Sequence, residues 1–170
     1  TGNTQKLQEQ STNIKNRVYG IKDKNFPAFS TISSSGTVAQ CKTAPTCPGG
    51  SDLGWYVDLA NKQKLTAEPT IYKDTVYYPI YQPTSGGTGC NTGTALLTAY
   101  NSKCGNSVLN VNVGTGVLSK VVVQKDNLYI GIAGEAKENI AGFTSKDNLI
   151  TGKSKAKGGG AISVEGWKQN

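Results

Sequence analysis

Short stretches of the chain read as strands, each cut off by a turn. Arg17-Val18-Tyr19-Gly20-Ile21-Lys22-Asp23 alternates as a half-buried strand does and ends at a turn, and Gly54-Trp55-Tyr56-Val57-Asp58-Leu59 reads as a second strand with a large aromatic near its start. Pro69-Thr70-Ile71-Tyr72 and Thr75-Val76-Tyr77-Tyr78-Pro79-Ile80-Tyr81 flank Lys73-Asp74, the pattern of a hairpin. The same pattern returns at Lys120-Val121-Val122-Val123-Gln124, Lys125-Asp126 and Asn127-Leu128-Tyr129-Ile130-Gly131-Ile132. In both copies the turn dipeptide is followed two positions on by an apolar residue and then by tyrosine. The period is 52 residues, counted from Lys73 to Lys125.

Between the copies, Thr94–Asn101 and Ser107–Val113 have the composition of third and fourth strands of one unit. Four strands per ~40–50 residues is the spacing of a β-propeller blade. The expected fold is therefore all-β: blade-like antiparallel sheets of a partial propeller within one domain of residues 1–170, with repeat units at about 65–113 and 118–167. A polar arm (residues 1–16) and an irregular insertion (about 24–52) complete it. About three blades fit, whereas closed propellers have ~4–8. An open run leaves sheet edges that another chain could complete.

Composition supports this reading. The chain of 170 residues has 21 glycines and no long Ala/Leu/Glu/Lys run. No stretch approaches the ~18 apolar residues of a membrane-spanning helix. Its polar start and lack of methionine are expected of a processed or excised segment. Net charge is +7, from 18 basic and 11 acidic residues. The charge is scattered except at Lys153, Lys155 and Lys157, which precede Gly158-Gly159-Gly160 and read as a loop and a candidate surface-binding stretch. No aromatics interleave with these lysines, so a specific nucleic-acid groove is not expected. A solvated basic face or attraction to an anionic partner, such as an acidic glycan, are the two readings of the charge.

The four cysteines, Cys41, Cys47, Cys90 and Cys104, occur with no histidine to share a metal. Two disulfides in an oxidising compartment are expected, with the local pairs Cys41–Cys47 and Cys90–Cys104 preferred among three connectivities. A four-cysteine zinc site is the alternative, but neither pair has C-x2-C spacing.

Without histidine, Ser-His-Asp and Cys-His nucleophilic arrangements are excluded. Several carboxylates sit at predicted turns, as Asp74 and Asp126 do. Gly152-Lys153-Ser154 resembles the end of a P-loop, but Asp147 stands where the first glycine belongs. Gly114-Thr115-Gly116 lacks the third glycine of a dinucleotide fingerprint, since Ser119 occupies that place. No calcium-loop motif is present, so calcium could be held only by scattered turn oxygens, and no other cofactor is expected. Trp55 and Trp167 read as anchors between sheets. A quinoprotein-type propeller enzyme would usually carry adjacent cysteines, which are absent.

The order of segments resembles the C-terminal propeller of the PilY/PilC family, proteins associated with type IV pili. Thr1-Gly2 with Arg17–Asp23, Gly54–Leu59, Glu68-Pro69 and the strands after it, Cys90 with Ala95–Tyr100, Val113–Ser119 with Leu128–Gly131, and Ile162–Trp167 follow that family's order. The resemblance implies a non-enzymatic fimbrial surface module, exported through the periplasm to the cell exterior. It would act in adhesion or pilus assembly by docking on pilin or minor pilin subunits. A secreted carbohydrate- or polyanion-binding β module is the alternative.

Overall fold

A computed structural model describes residues 7, 9, 15–21, 38–40, 54–84 and 93–157, with the backbone alone at 38–40. Among the described residues there is no helix, and thirteen strands form three open sheets. In the first, β1 (Arg17–Ile21) pairs antiparallel with β3 (Gly54–Asp58), whose other edge takes β2 (Val38–Gln40) in parallel. The sequence pattern predicts no strand inside the insertion, yet β2 lies there; the rest of 24–52 lies outside the described residues.

The second sheet is built from β4 (Lys64–Leu65), β5 (Thr70–Tyr72), β6 (Thr75–Gln82), β7 (Thr94–Asn101) and β8 (Ser107–Thr115). From β5 to β8 it is an up-and-down meander, with β4 sharing the β5 edge of β6. Every residue of β6 except Gln82 is buried, as expected of a strand covered on both faces. Pro79 in such a strand would normally break the ladder. Here β5 pairs with residues 75–77 and β4 with 80–81, and Pro79 faces the gap between them. Its carbonyl accepts from the Thr66 amide at 3.1 Å on that side, so the donor it lacks falls where no strand asks for one.

The third sheet holds β9 (Val117–Leu118), β10 (Val122–Gln124), β11 (Asn127–Ala133), β12 (Phe143–Lys146) and β13 (Leu149–Lys153). Its order is β10-β11-β13-β12, with β9 also on β11. β5 and β10 coincide under the 52-residue shift, and β6 and β11 both start at its equivalent positions. The units then diverge: β7 follows β6 directly in a meander, whereas after β11 the chain first forms the edge strand β12 and returns as β13. Lys153, read from sequence as part of a loop, ends β13. The two-residue hairpin turns require left-handed backbone, seen at Lys73 (φ 53°), Lys125 (46°), Asp126 (65°) and Asp147 (52°).

The sheets stack in chain order. Val76, Tyr78 and Ile80 of β6 pack with Val18 and Trp55 of the first sheet. Tyr77, Ala95, Leu97 and Ala99 pack from the opposite face against Leu128, Ile130, Ile132 and Ile150 of the third. Each large aliphatic side chain so buried contributes ~1.5–3 kcal/mol. Repeat-equivalent segments also touch directly. Glu68 pairs with Lys120 at 2.8 Å, Thr70 Oγ1 donates to the Val121 carbonyl at 2.6 Å, and Tyr72 and Lys73 both bond Asp126 at 2.8 Å. The sequence period has thus become a contact between neighbouring sheets.

Candidate functional site

The middle sheet is covered on both sides, so the sheet faces open to solvent are the outward faces of the first and third. On the first sheet, the alternation that buries Val18 and Trp55 turns Arg17, Tyr19, Ile21 and Tyr56 outward. Tyr19 and Ile21 are 50% and 57% exposed. The Arg17 guanidinium lies 4.7 Å from the Tyr56 ring centre and pairs with Asp58 at 2.6 Å, and the Tyr19 and Tyr56 rings are 6.0 Å apart. The Asp58 hydrogen bond raises the Arg17 pKa.

On the third sheet, the row Val122–Tyr129–Thr151–Thr144 crosses four strands on the outward face. Thr144 and Thr151 share a hydroxyl hydrogen bond of 2.8 Å. Beside this row lie Asn127 and its partner Lys153. Asn127, Tyr129, Thr144, Thr151 and Lys153, with Gly142, Phe143 and Gly152, line a shallow open groove of about 500 Å³. Lys153, Lys155 and Lys157 are all exposed. Lys153 thus borders the groove, while Lys155 lies near its rim: a Cβ placed on Gly142 would be 3.5 Å from its Nζ.

The strongest local electrostatics are structural. Hydrogen bonds from Lys73 and then Tyr72 hold the Asp126 carboxyl below its ordinary range, and Lys120 does the same for Glu68. Lys64 is buried, and its ammonium donates to the carbonyls of Leu7, Glu9 and Lys62. Desolvation lowers its pKa, partly offset by the charge of Glu9. Among the described residues no cluster of three His, Cys, Asp or Glu side chains could hold a metal ion. No helix there is long and apolar enough to cross a membrane.

Cys104 lies in the turn between β7 and β8, buried and disulfide-bonded. Cys41, Cys47 and Cys90 lie outside the described residues, as do Trp167 and the glycines at 158–160. The same turn is anchored on Trp55, whose Nε1 donates to the Ser102 carbonyl at 2.8 Å. Gly105, at φ 71°, lies against the indole. Trp55 is therefore an anchor between the first two sheets.

The groove residues Thr144 and Thr151 went unread in the sequence because β12 and β13 each bury a single large residue, Phe143 and Ile150. One signal was available: Lys146-Asp147 repeats the dipeptide of the two recognised hairpins. A scan against protein-family models finds no match for this chain, nor does a search of curated proteins or of solved structures.

Proposed function

We propose that this chain is a non-catalytic, propeller-type module of a type IV pilus-associated protein at the cell surface, and that it docks on pilin or minor pilin subunits. The carrying observation is the stack of three sheets in chain order, in which a four-stranded meander is covered on both faces and the stack ends in open sheets. The colinear resemblance of segments to the PilY/PilC family supports the same reading. So does the outward face of the first sheet, where Tyr19 and Ile21 offer apolar surface to a protein partner. Export would place Cys90–Cys104 and Cys41–Cys47 in an oxidising compartment, where the proposed disulfides persist.

The test is direct binding of the purified 170-residue chain to purified pilin and minor pilin subunits, with its mass measured alone and in the mixture. Saturable binding that Ile21→Lys abolishes is expected. A cooperatively folding monomer that binds none of these subunits would refute the proposal.

A further inference from the structure

Tyr77 and Tyr129 occupy the same place in the repeat, which makes their surroundings comparable strand by strand. Across the second sheet the row through Tyr77 runs Thr70–Tyr77–Ala99–Leu109. Across the third, the row through Tyr129 runs Val122–Tyr129–Thr151–Thr144. In the first row the ring lies between Thr70 and Ala99, with Leu109 beyond, and the third sheet covers it until Tyr77 and Ala99 have no exposure. In the second row Val122, 59% exposed, stands in the place of Thr70, and two bonded hydroxyls replace Ala99 and Leu109 on the side where the groove lies. The neighbouring position, Asn101 beside Thr75 in the second sheet, becomes Lys153 beside Asn127 in the third. A face meant for a further sheet would keep the aliphatic pair, because sheet-on-sheet packing draws on apolar burial. The hydroxyls, amide and ammonium around a half-buried ring instead suit a polar ligand with one flat apolar side.

We infer that the groove of Asn127, Tyr129, Thr144, Thr151 and Lys153 binds a saccharide that carries an acidic group. A sugar ring offers C–H groups on one face, which pack on an aromatic ring, and hydroxyls at its edge that both donate and accept. Thr144, Thr151 and Asn127 can meet those hydroxyls in both senses. Lys153 selects a carboxylate or sulfate on the sugar, and Lys155 reinforces it from the rim. No carboxylate lines the groove. Asp126 feels the charge of Lys153 but is hydrogen-bonded to Lys73 and Tyr72. This site deepens the surface-module reading and lies on the opposite end of the stack from the docking face proposed for pilin.

The experiment titrates the full chain with a galacturonate tetrasaccharide, and with a neutral maltotetraose, by calorimetry at low and high salt. Saturable binding of the acidic sugar is expected, preferred over the neutral one and weakened by salt. Tyr129→Ala should weaken it about tenfold or more, as truncation of a buried aromatic anchor does. Lys153→Gln should remove the preference for the acidic sugar while leaving weak binding of the neutral one. Ile21→Lys should leave sugar binding unchanged, so loss of pilin docking and loss of sugar binding are read separately. Matching thermal midpoints for the variants exclude unfolding as the cause. The inference is overturned if neither sugar binds, or if Tyr129→Ala binds as the parent does. It is equally overturned if inorganic polyphosphate competes in full and Tyr129→Ala has no effect, or if Thr151→Arg abolishes self-association while no sugar binds. The last result would make the face a contact for a second copy.

Discussion

Replacing Tyr77 and Tyr129 in turn tests the whole repeat argument, since the two share a sequence context and differ in cover. Tyr77 has no exposed surface, and its ring fills the space between the second and third sheets. Its hydroxyl bonds Ser154 Oγ at 2.7 Å and accepts from the Lys155 amide at 3.1 Å, tying the segment after β13 to the middle sheet. Truncation of a buried aromatic costs ~3–5 kcal/mol, so Tyr77→Ala should fall in that range. Tyr77→Phe keeps the ring and strands the two partners, at ~1–3 kcal/mol. Tyr129→Ala touches a half-buried outward residue and should stay within ~1 kcal/mol. With a urea m-value of ~2 kcal/mol per M, Tyr77→Ala moves the unfolding midpoint down by ~1.5–2.5 M and Tyr129→Ala by less than ~0.5 M. Urea unfolding followed by far-UV circular dichroism reads all three, and the Phe variant keeps the test alive if the Ala variant does not fold. Equal costs at the two positions, or a larger cost at Tyr129, would refute the stacking order.

Three further outcomes are expected. Burial pushes the Tyr78 phenol up to about 12 from 10.0, so the folded chain keeps a proton that the unfolded chain releases. The associated stability is present below pH 10 and is lost as pH rises toward 12; Tyr78→Phe should flatten that loss, read as urea midpoints against pH. Lys64 has the opposite sign: its lowered pKa means the unfolded chain binds more protons, so its contribution grows as pH climbs toward the ordinary value of 10.5, and Lys64→Met should remove that upward slope. Gly105→Ala combines left-handed backbone at φ 71° with a Cβ 2.6 Å from indole carbons of Trp55. The backbone alone costs ~1–2 kcal/mol, and a red shift of Trp55 fluorescence in a Trp167→Phe background should accompany it.

The all-β character and most strands were legible because β-branched and aromatic runs were cut by turn dipeptides whose left-handed conformations are now explicit. The repeat was legible for the same reason: Lys73-Asp74 and Lys125-Asp126 close hairpins of matching register. The path of the second unit was not. Strand order after β11 depends on Ile150 reaching the core beside Ile130, a non-local pairing that no local pattern encodes. The groove was hidden for a related reason. Thr144 and Thr151 are ordinary polar residues until pairing sets them beside Tyr129, whereas the lysines at 153, 155 and 157 stood out by charge alone.

The two ends of the stack differ chemically. Moving by one repeat from the second sheet to the third carries the inner face of Tyr77 onto the outer face of Tyr129. On the outward face of the first sheet, which lies outside the repeat, Tyr19 and Ile21 are half or more exposed beside the Tyr56 ring that Arg17 covers. Water solvates that surface poorly, and a protein partner would recover the lost burial at ~25 cal/mol per Å². The third sheet also exposes Val122 and Leu149, but its groove is lined by the hydroxyl pair, Asn127 and Lys153, where a ligand gains by replacing water's hydrogen bonds one for one. The first end therefore carries the surface proposed for a protein partner, and the groove of the third the one proposed for a saccharide. If both proposals hold, the doubly covered middle sheet keeps the two ligands apart.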